Sequence, residues 1–370
     1  MESARAVVET DLAHIRKESG NAFETMAGKR LLVVGGAGFL GYYLVQSVLA
    51  WNRAVERDRR IELTVFDNFI RGIPDWLTGL EGADGLTVAR HDISKPLPAN
   101  MPDFGFIIHA GSIASPIYYR KHPIETMDAN VGGLRSLLDY SLRQAEKGAP
   151  VEGFLFYSSS EIYGDPTPEF IPTPEIYRGN VSCTGPRACY DESKRYGETL
   201  CVNFARRHGT AVKIARPFNH YGPGLKITDG RLIPDLARDI LAGRDITLLS
   251  DGKPKRTFCY VADAIAGYYQ LLTMGKPGEA YNIGTEYPEI SVGDLAEKLA
   301  ALAGELFGYR GKVIKKVSHE KDYLVDNPER RCPDISKARR ELSYNPSIGL
   351  DEGLRRNLIW FRDNREGTEA

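Results

Sequence analysis

Cysteine is scarce in this 370-residue chain: Cys183, Cys189, Cys201, Cys259 and Cys332 form an odd, scattered set without one Cys-x-x-Cys pair. Such thiols fit a reducing, cytosol-like compartment rather than a disulfide framework. The seven histidines include no His-x-x-x-His or His-Glu-x-x-His spacing, so no metal site is expected. Charge of one sign is lacking too. A net charge of −1 leaves no electrostatic footprint for nucleic acid or an anionic membrane. Residues 1–30 are charged and lack the apolar centre of a secretory leader, so a cytoplasmic protein is expected. One uncharged run, Leu31 to Trp51, is long enough to imitate a membrane span. Four glycines in its first half and Gln46-Ser47 in its second argue for a buried strand, a glycine turn and a helix instead.

The composition itself is that of an ordinary globular protein, 42% apolar and 26% charged. Residues 1–28 mix acidic and basic side chains with Val7, Val8, Leu12 and Ile15, and read as a short surface helix or a frayed arm. Then Leu31-Leu32-Val33-Val34 runs into Gly35, Gly38 and Gly41 at Gly-x-x-Gly-x-x-Gly spacing. Glycines at such a turn let the backbone approach a pyrophosphate, and the helix N-terminus that follows stabilises its charge. The next apolar run, Ile61 to Phe66, ends in Asp67-Asn68, where a carboxylate is placed for the adenosine ribose and disfavours a 2′-phosphate. Arg71 nearby weakens that preference for NAD over NADP. Further strands are expected at Leu86–Ala89, Phe104–Ile108, Gly153–Tyr157 and Ala211–Ala215. Six strands alternating with helices predict a doubly wound, Rossmann-type parallel sheet, followed by a smaller mixed α/β lobe. In that lobe Ser291 is the expected N-cap of a helix reaching Ala303, and Asp322 to Arg331 reads as a charged loop.

Two stretches carry candidate chemistry. Tyr190 and Lys194 stand four apart, which on a helix stacks them on one face. A lysine held there lowers the phenol's pKa and makes Tyr190 a general base. With 19 tyrosines, about one Tyr-x-x-x-Lys arises by chance, so the spacing alone decides nothing. The second stretch, Ser158-Ser159-Ser160-Glu161, follows the buried run Gly153–Tyr157 and therefore sits over the crevice at the carboxyl end of a strand. Asp92, after the third strand, reads equally as an adenine contact or a helix cap.

The glycine turn, Ser159-Ser160-Glu161-Ile162-Tyr163-Gly164-Asp165 and Gly185-Pro186-Arg187-Ala188-Cys189-Tyr190-Asp191-Glu192-Ser193-Lys194-Arg195 together resemble the extended short-chain dehydrogenase/reductase family of nucleotide-sugar enzymes, the NAD-dependent epimerases and dehydratases. Ala215-Arg216-Pro217-Phe218-Asn219, Asp229-Gly230-Arg231 and Arg256-Thr257-Phe258 add to the likeness, which runs from about Lys29 to Arg356 and is greatest to the branch that decarboxylates nucleotide hexuronates. The resemblance implies NAD as cofactor, bound by Gly35, Gly38, Phe39, Leu40, Asp67, Asn68, Asp92, Ile93, Tyr190 and Lys194. It implies catalytic roles for Ser159, Glu161, Tyr190, Lys194 and Arg256. Ser112, Glu161, Arg187, Asn219, Arg231, Arg256 and Arg331 fall at substrate-contact positions. A homodimer through the helix after Asn130 and the Tyr190 helix is implied as well. The division expected along the chain is an extension over 1–28, a mainly NAD-binding part over 29–221 and a mainly substrate-binding part over 222–370, with 261–285 returning to the first.

Chemistry separates the branches. Oxidising C4 of a hexuronate gives a β-keto acid, which loses carbon dioxide once the ketone accepts electrons as an enolate. A 4,6-dehydratase of this family places an acidic Asp before the glutamate, where this chain has Ser160, and a 4-epimerase usually lacks the glutamate. The expectation is decarboxylation of a nucleotide hexuronate such as UDP-glucuronate, with 4-epimerisation or 4,6-dehydration as the alternatives and a non-catalytic dinucleotide-binding scaffold behind them. Two departures stand out. Leu249-Ser250 replaces a Tyr-Gly pair near the base, leaving uracil, thymine and cytosine open, and Ile113 and Ile117 replace prolines beside the sugar.

Overall fold

A computed structural model describes residues 2–316 and 328–364. Two helices lead the chain, α1 (Ala4–Glu18) and α2 (Gly20–Met26). The first βα unit is β1 (Arg30–Val34) and α3 (Phe39–Asn52), followed by β2 (Glu62–Asp67), β3 (Leu86–Arg90) and β4 (Phe106–His109). Next come α4 (Leu134–Glu146), β5 (Gly153–Tyr157), α5 (Ala188–His208), β6 (Val212–Pro217), α6 (Val261–Met274) and β7 (Ala280–Ile283). The last long helices are α7 (Val292–Phe307) and α8 (Leu350–Asp363).

The main sheet is all parallel, in the order β7-β6-β5-β4-β1-β2-β3. It has seven strands rather than the expected six. The seventh, only Ala280–Ile283, pairs with β6 from Ile214 to Pro217. Helices cover both faces of the centre, so β1, β4 and β5 are apolar nearly throughout, while the edge strand β3 is largely exposed. Leu31, Val33, Ile108 and Leu155 point to the layer holding α3 and α6. Leu32, Val34, Ile107, Phe154 and Phe156 point to the layer holding α4 and α5. Strand order reverses between β1 and β4, which opens a crevice at the carboxyl ends of the strands. Gly197 lets α5 come close to the sheet, since a Cβ there would meet the Phe156 ring at 2.5 Å.

The N-terminal stretch, expected as a short surface helix or a frayed arm, is helical but packed into the core. Val7, Asp11 and Ile15 lie on one face of α1 and are fully buried, as are Phe23 and Met26 of α2. The carboxylate of Asp11 accepts hydrogen bonds from Tyr43 (2.5 Å) and Tyr260 (2.7 Å) and pairs with Arg356 at 2.7 Å. This compensates its burial. The hairpin packs on α3, α6 and α8, and Ala4 donates its backbone N–H to Asp363 of α8 at 2.8 Å.

In the smaller lobe Ser291 caps α7 as expected, accepting the Asp294 N–H at 3.0 Å, and α7 runs on to Phe307. Of the charged loop expected over 322–331, positions 322–327 lie outside the described residues; Arg330–Arg331 form a short strand pairing with Lys255–Arg256. Among the described residues no helix is long and apolar enough to cross a membrane.

Candidate active site

The carboxyl ends of β1, β2, β4 and β5 open into a cleft of about 1580 Å³ that extends under the smaller lobe. All the residues singled out in the sequence for cofactor, substrate or catalysis line this one cleft.

On one side is the glycine turn. Gly38 precedes the first turn of α3, formed by Phe39 and Leu40. A Cβ on Gly41 would lie 2.2 Å from the Gly36 carbonyl oxygen, so the turn closes only with hydrogen at that position. Asp67, at the end of β2, accepts the N–H groups of Ala37 (3.0 Å) and Phe69 (2.8 Å). Burial raises its carboxyl pKa and those two N–H groups offset the effect. Asn68 turns back to accept the Ile70 N–H at 3.0 Å. Asp92 accepts the Ser94 N–H (3.0 Å) and hydroxyl (2.8 Å), closing a local turn that leads into no helix. Ile93 is buried beside it. Arg71 is held elsewhere, paired with Asp229 at 2.7 Å and stacked on Tyr118. Arg90, beside Asp67 on the neighbouring strand, is turned onto the Phe69 ring and the Asn68 carbonyl. A helix N-terminus opening onto a glycine turn, with a carboxylate at its far edge, fits the pyrophosphate and ribose of NAD.

At the centre, Tyr190 and Lys194 share the buried face of α5. The expected lowering of the phenol by the lysine is not what the geometry gives. Burial dominates both groups: it raises Tyr190 to about 12, with a hydrogen bond to Ser159 working the other way, and lowers Lys194 to about 7. The ammonium donates to the Tyr157 carbonyl at 2.7 Å and lies 5.6 Å from the Tyr190 ring centre. Tyr119 stacks on Tyr190, with ring centroids 5.2 Å apart.

Beyond Tyr190 the cleft holds a cluster of ions. Glu161 enters from the turn Ser160–Tyr163, which Ser159 caps by accepting the Glu161 N–H at 3.1 Å. Its carboxylate meets Arg187 at 2.5 Å and is gripped by Arg331 through both oxygens. Burial alone would raise its pKa, but the two guanidinium groups outweigh it and hold Glu161 ionised, well below the usual carboxylate range. Arg256 lies close by and donates to the backbone carbonyls of Lys255 (2.7 Å), Pro328 (2.5 Å) and Glu329 (3.1 Å). Burial, then repulsion from Arg331, lowers it to about 9. Three guanidiniums thus surround Glu161, with Asp191 3.9 Å from Arg187 and Asp165 near Arg256 as further carboxylates. Guanidiniums gathered in this way offer donors to an anionic ligand.

Three other residues complete the lining. Arg231 pairs with Asp229 at 2.9 Å. Asn219 adopts a positive φ of 45° and donates to the Thr257 carbonyl at 2.9 Å. The Ser112 hydroxyl is buried and has no hydrogen-bond partner among the described residues. Reading the sequence missed the stacking of Tyr119 and the Arg71–Asp229 contact. Both join segments far apart in the chain; Arg71 and Asp229 each stood out in the sequence, but nothing in it indicated that they meet. Among the described residues no cluster of His, Cys, Asp and Glu could hold a metal ion.

Sheet order, glycine turn and central tyrosine–lysine pair define a dinucleotide-binding α/β protein, with a cluster of guanidiniums beside them. Residues 31–284 match the model of the NAD dependent epimerase/dehydratase family, and the chain belongs to that family. It is 36% identical to UDP-glucuronic acid decarboxylase 3 of Arabidopsis thaliana over 88% of this chain and 86% of that protein. It is 33% identical to UDP-glucuronic acid decarboxylase 1 of Xenopus tropicalis, over 91% and 73%. Among solved structures it resembles a dTDP-glucose 4,6-dehydratase of Streptomyces venezuelae holding NAD, with a TM-score of 0.77, 25% identity and coverage of 92% and 100%.

Proposed function

We propose that this enzyme decarboxylates a nucleotide hexuronate, UDP-glucuronate being the leading candidate, to the corresponding pentose through a 4-keto sugar, with NAD as a recycled cofactor. The observation that carries the choice is Glu161. Held ionised between Arg187 and Arg331 and preceded by Ser160, it has no proton to give a departing C6 hydroxyl, which disfavours dehydration.

The Gly35–Gly41 turn, Asp67 and Lys194 would hold NAD, with Asn68, Asp92 and Ile93 at its adenosine end. When bound, NAD supplies the acceptance and return of hydride at C4. Burial keeps the Tyr190 phenol protonated until a positive charge lies beside it, which the nicotinamide of bound NAD would supply; Tyr190 would then take the proton from the C4 hydroxyl, and Ser159, hydrogen-bonded to the same phenol, would orient that oxygen. With a ketone at C4 the carboxylate on C5 is β to it. The C5–carboxylate bond breaks, its electrons form an enolate, and Ser159 and Tyr190 stabilise the O4 charge by hydrogen bonding. C5 then takes a proton from water in place of the lost carboxylate, and Tyr190 gives its proton back to O4 as hydride returns to C4. Arg187, Arg256 and Arg331 hold the anionic parts of the substrate, and Ser112, Asn219 and Arg231 complete its contacts. Residues 29–221 chiefly serve the cofactor and 222–370 the substrate, while 261–285 return to the main sheet as α6 and β7. We place the enzyme in the cytoplasm, which its five free thiols support. We also take it to be a homodimer, because Ile124, Met127 and Tyr196 expose apolar surface beside α4 and on α5.

Incubation with UDP-glucuronate and catalytic NAD, followed by mass spectrometry, should give a product lighter by carbon dioxide. An isomer of equal mass would point to epimerisation instead. Tyr190→Phe should lower kcat by about 10³-fold and leave NAD affinity unchanged; undiminished turnover would refute the mechanism.

A further inference from the structure

Behind the Ser158–Glu161 segment runs a buried polar chain that no role above uses. Glu198 follows Lys194 by four residues and so lies one turn further along the same face of α5. Its carboxylate accepts the Ser158 hydroxyl at 2.5 Å and two donors of Arg216, at 2.9 and 2.5 Å. Arg216, on β6, also donates to the Tyr163 hydroxyl at 2.7 Å and the Glu175 carbonyl at 2.8 Å. Tyr163 donates in turn to Asn282 of β7 at 2.8 Å. The Asn282 amide donates to the carbonyls of Thr173 and Asp334, each at 2.9 Å. The Thr173 N–H reaches the Cys332 carbonyl at 2.8 Å, next to Arg331. Ser158, Tyr163, Arg216 and Asn282 are all buried, and Glu198, Arg216, Tyr163 and Asn282 do not line the cleft.

The chain of contacts closes on itself. It leaves α5 at Glu198, passes behind the turn that carries Glu161, and returns to the cleft through Arg331, which grips Glu161 from the front. In the interior such a network is rigid when every member is satisfied. We infer that Glu198 and Arg216, acting with Tyr163, are positioning residues: they fix the Ser158–Glu161 segment against α5, so that Ser159 stays on Tyr190 and Glu161 stays between its arginines. The inference rests on the decarboxylase reading for its reaction but not for its geometry.

Ser158→Ala and Tyr163→Phe each remove a single hydroxyl from the network. Each should lower kcat with UDP-glucuronate by about 10- to 100-fold, the cost of a misplacement near 1 Å. KM for the nucleotide sugar should stay within about twofold, and Ser158→Thr should restore most of the loss. Hydrogen exchange read by mass spectrometry should quicken over residues 157–164 in both variants and stay unchanged over β1 and α3. Wild-type kcat in both variants would overturn the inference, as would a loss appearing wholly in KM. If the unaltered enzyme releases no carbon dioxide from UDP-glucuronate, the functional reading fails; exchange over 157–164 then decides, and unchanged protection there overturns the positioning role.

Discussion

The cofactor side of the cleft is made of close neighbours in sequence, whereas the sugar side is assembled from residues as much as 170 positions apart. Gly35 to Leu40 is one turn on one βα unit, closed by a carboxylate from the adjacent strand. Glu161, Arg187, Arg256 and Arg331 come from four separate segments and meet only because a short strand at Arg330–Arg331 pairs beside Lys255–Arg256. The first side presents backbone N–H groups and a helix dipole, which change little among ligands sharing a pyrophosphate. The second presents side-chain charges whose number and spacing would, in the proposed reaction, select the sugar. On that reading specificity belongs to the dispersed side, and the contiguous side is generic.

The largest effect that would test this contrast is at the glycine turn. Gly41→Ala drives a Cβ against the Gly36 carbonyl. Overpacking of about 3 kcal/mol should weaken NAD binding by about 100-fold, as read by isothermal titration or fluorescence; retained affinity would mean the turn yields. Arg331→Met, on the opposite side, should raise KM for UDP-glucuronate by about 30-fold, in line with loss of a charge-assisted contact, and leave NAD affinity unchanged. An equal loss of NAD affinity would break the separation.

A subtler test concerns Lys194, where the two sides meet. Its folded pKa of about 7 lies below its ordinary 10.5, so between those values the unfolded chain binds a proton that the folded chain does not. Stability therefore rises with pH across that window and levels off below about 7, where both states hold the proton. Lys213, lowered by burial to about 8, contributes in the same sense. Urea midpoints of the NAD-free protein should increase from about pH 6.5 to about pH 8.5, and Lys194→Met should flatten that rise. An unaltered slope in the variant would remove Lys194 as its source. The smallest effect is at the base. Leu249→Tyr should lower KM for a UDP-sugar by about fivefold if the ring gains a stacking contact, and an unchanged KM would place the base elsewhere.

The strand–turn–helix at the start of the sheet was legible because uninterrupted apolar residues meet glycines there, and the same holds for Asp67 at the end of β2. Glu161 and its arginines were legible one by one through motifs, but their mutual pairing was not, since spacing says nothing about which loops meet. β7 escaped the count of strands because Ala280–Ile283 is four residues long and includes the polar Asn282. The α1–α2 hairpin escaped because Asp11 interrupts the apolar face of Val7 and Ile15, and a buried carboxylate cannot be told from a surface one without its partners. The pKa of Tyr190 failed for a similar reason. Sequence displays the neighbouring lysine and hides the burial, and burial is the stronger influence.

The contact between Ala4 and Asp363, reinforced by the Arg355–Glu2 pair, brings the first and last helices side by side. In topological terms the described chain is nearly a ring. Joining position 364 to position 2 through a short flexible linker should cost little, because the ends already meet. New termini could then be opened at an exposed turn such as Gly148, with the Asp11 hub still seating α1 against α8. The order in which the parts are synthesised is separable from the way they assemble.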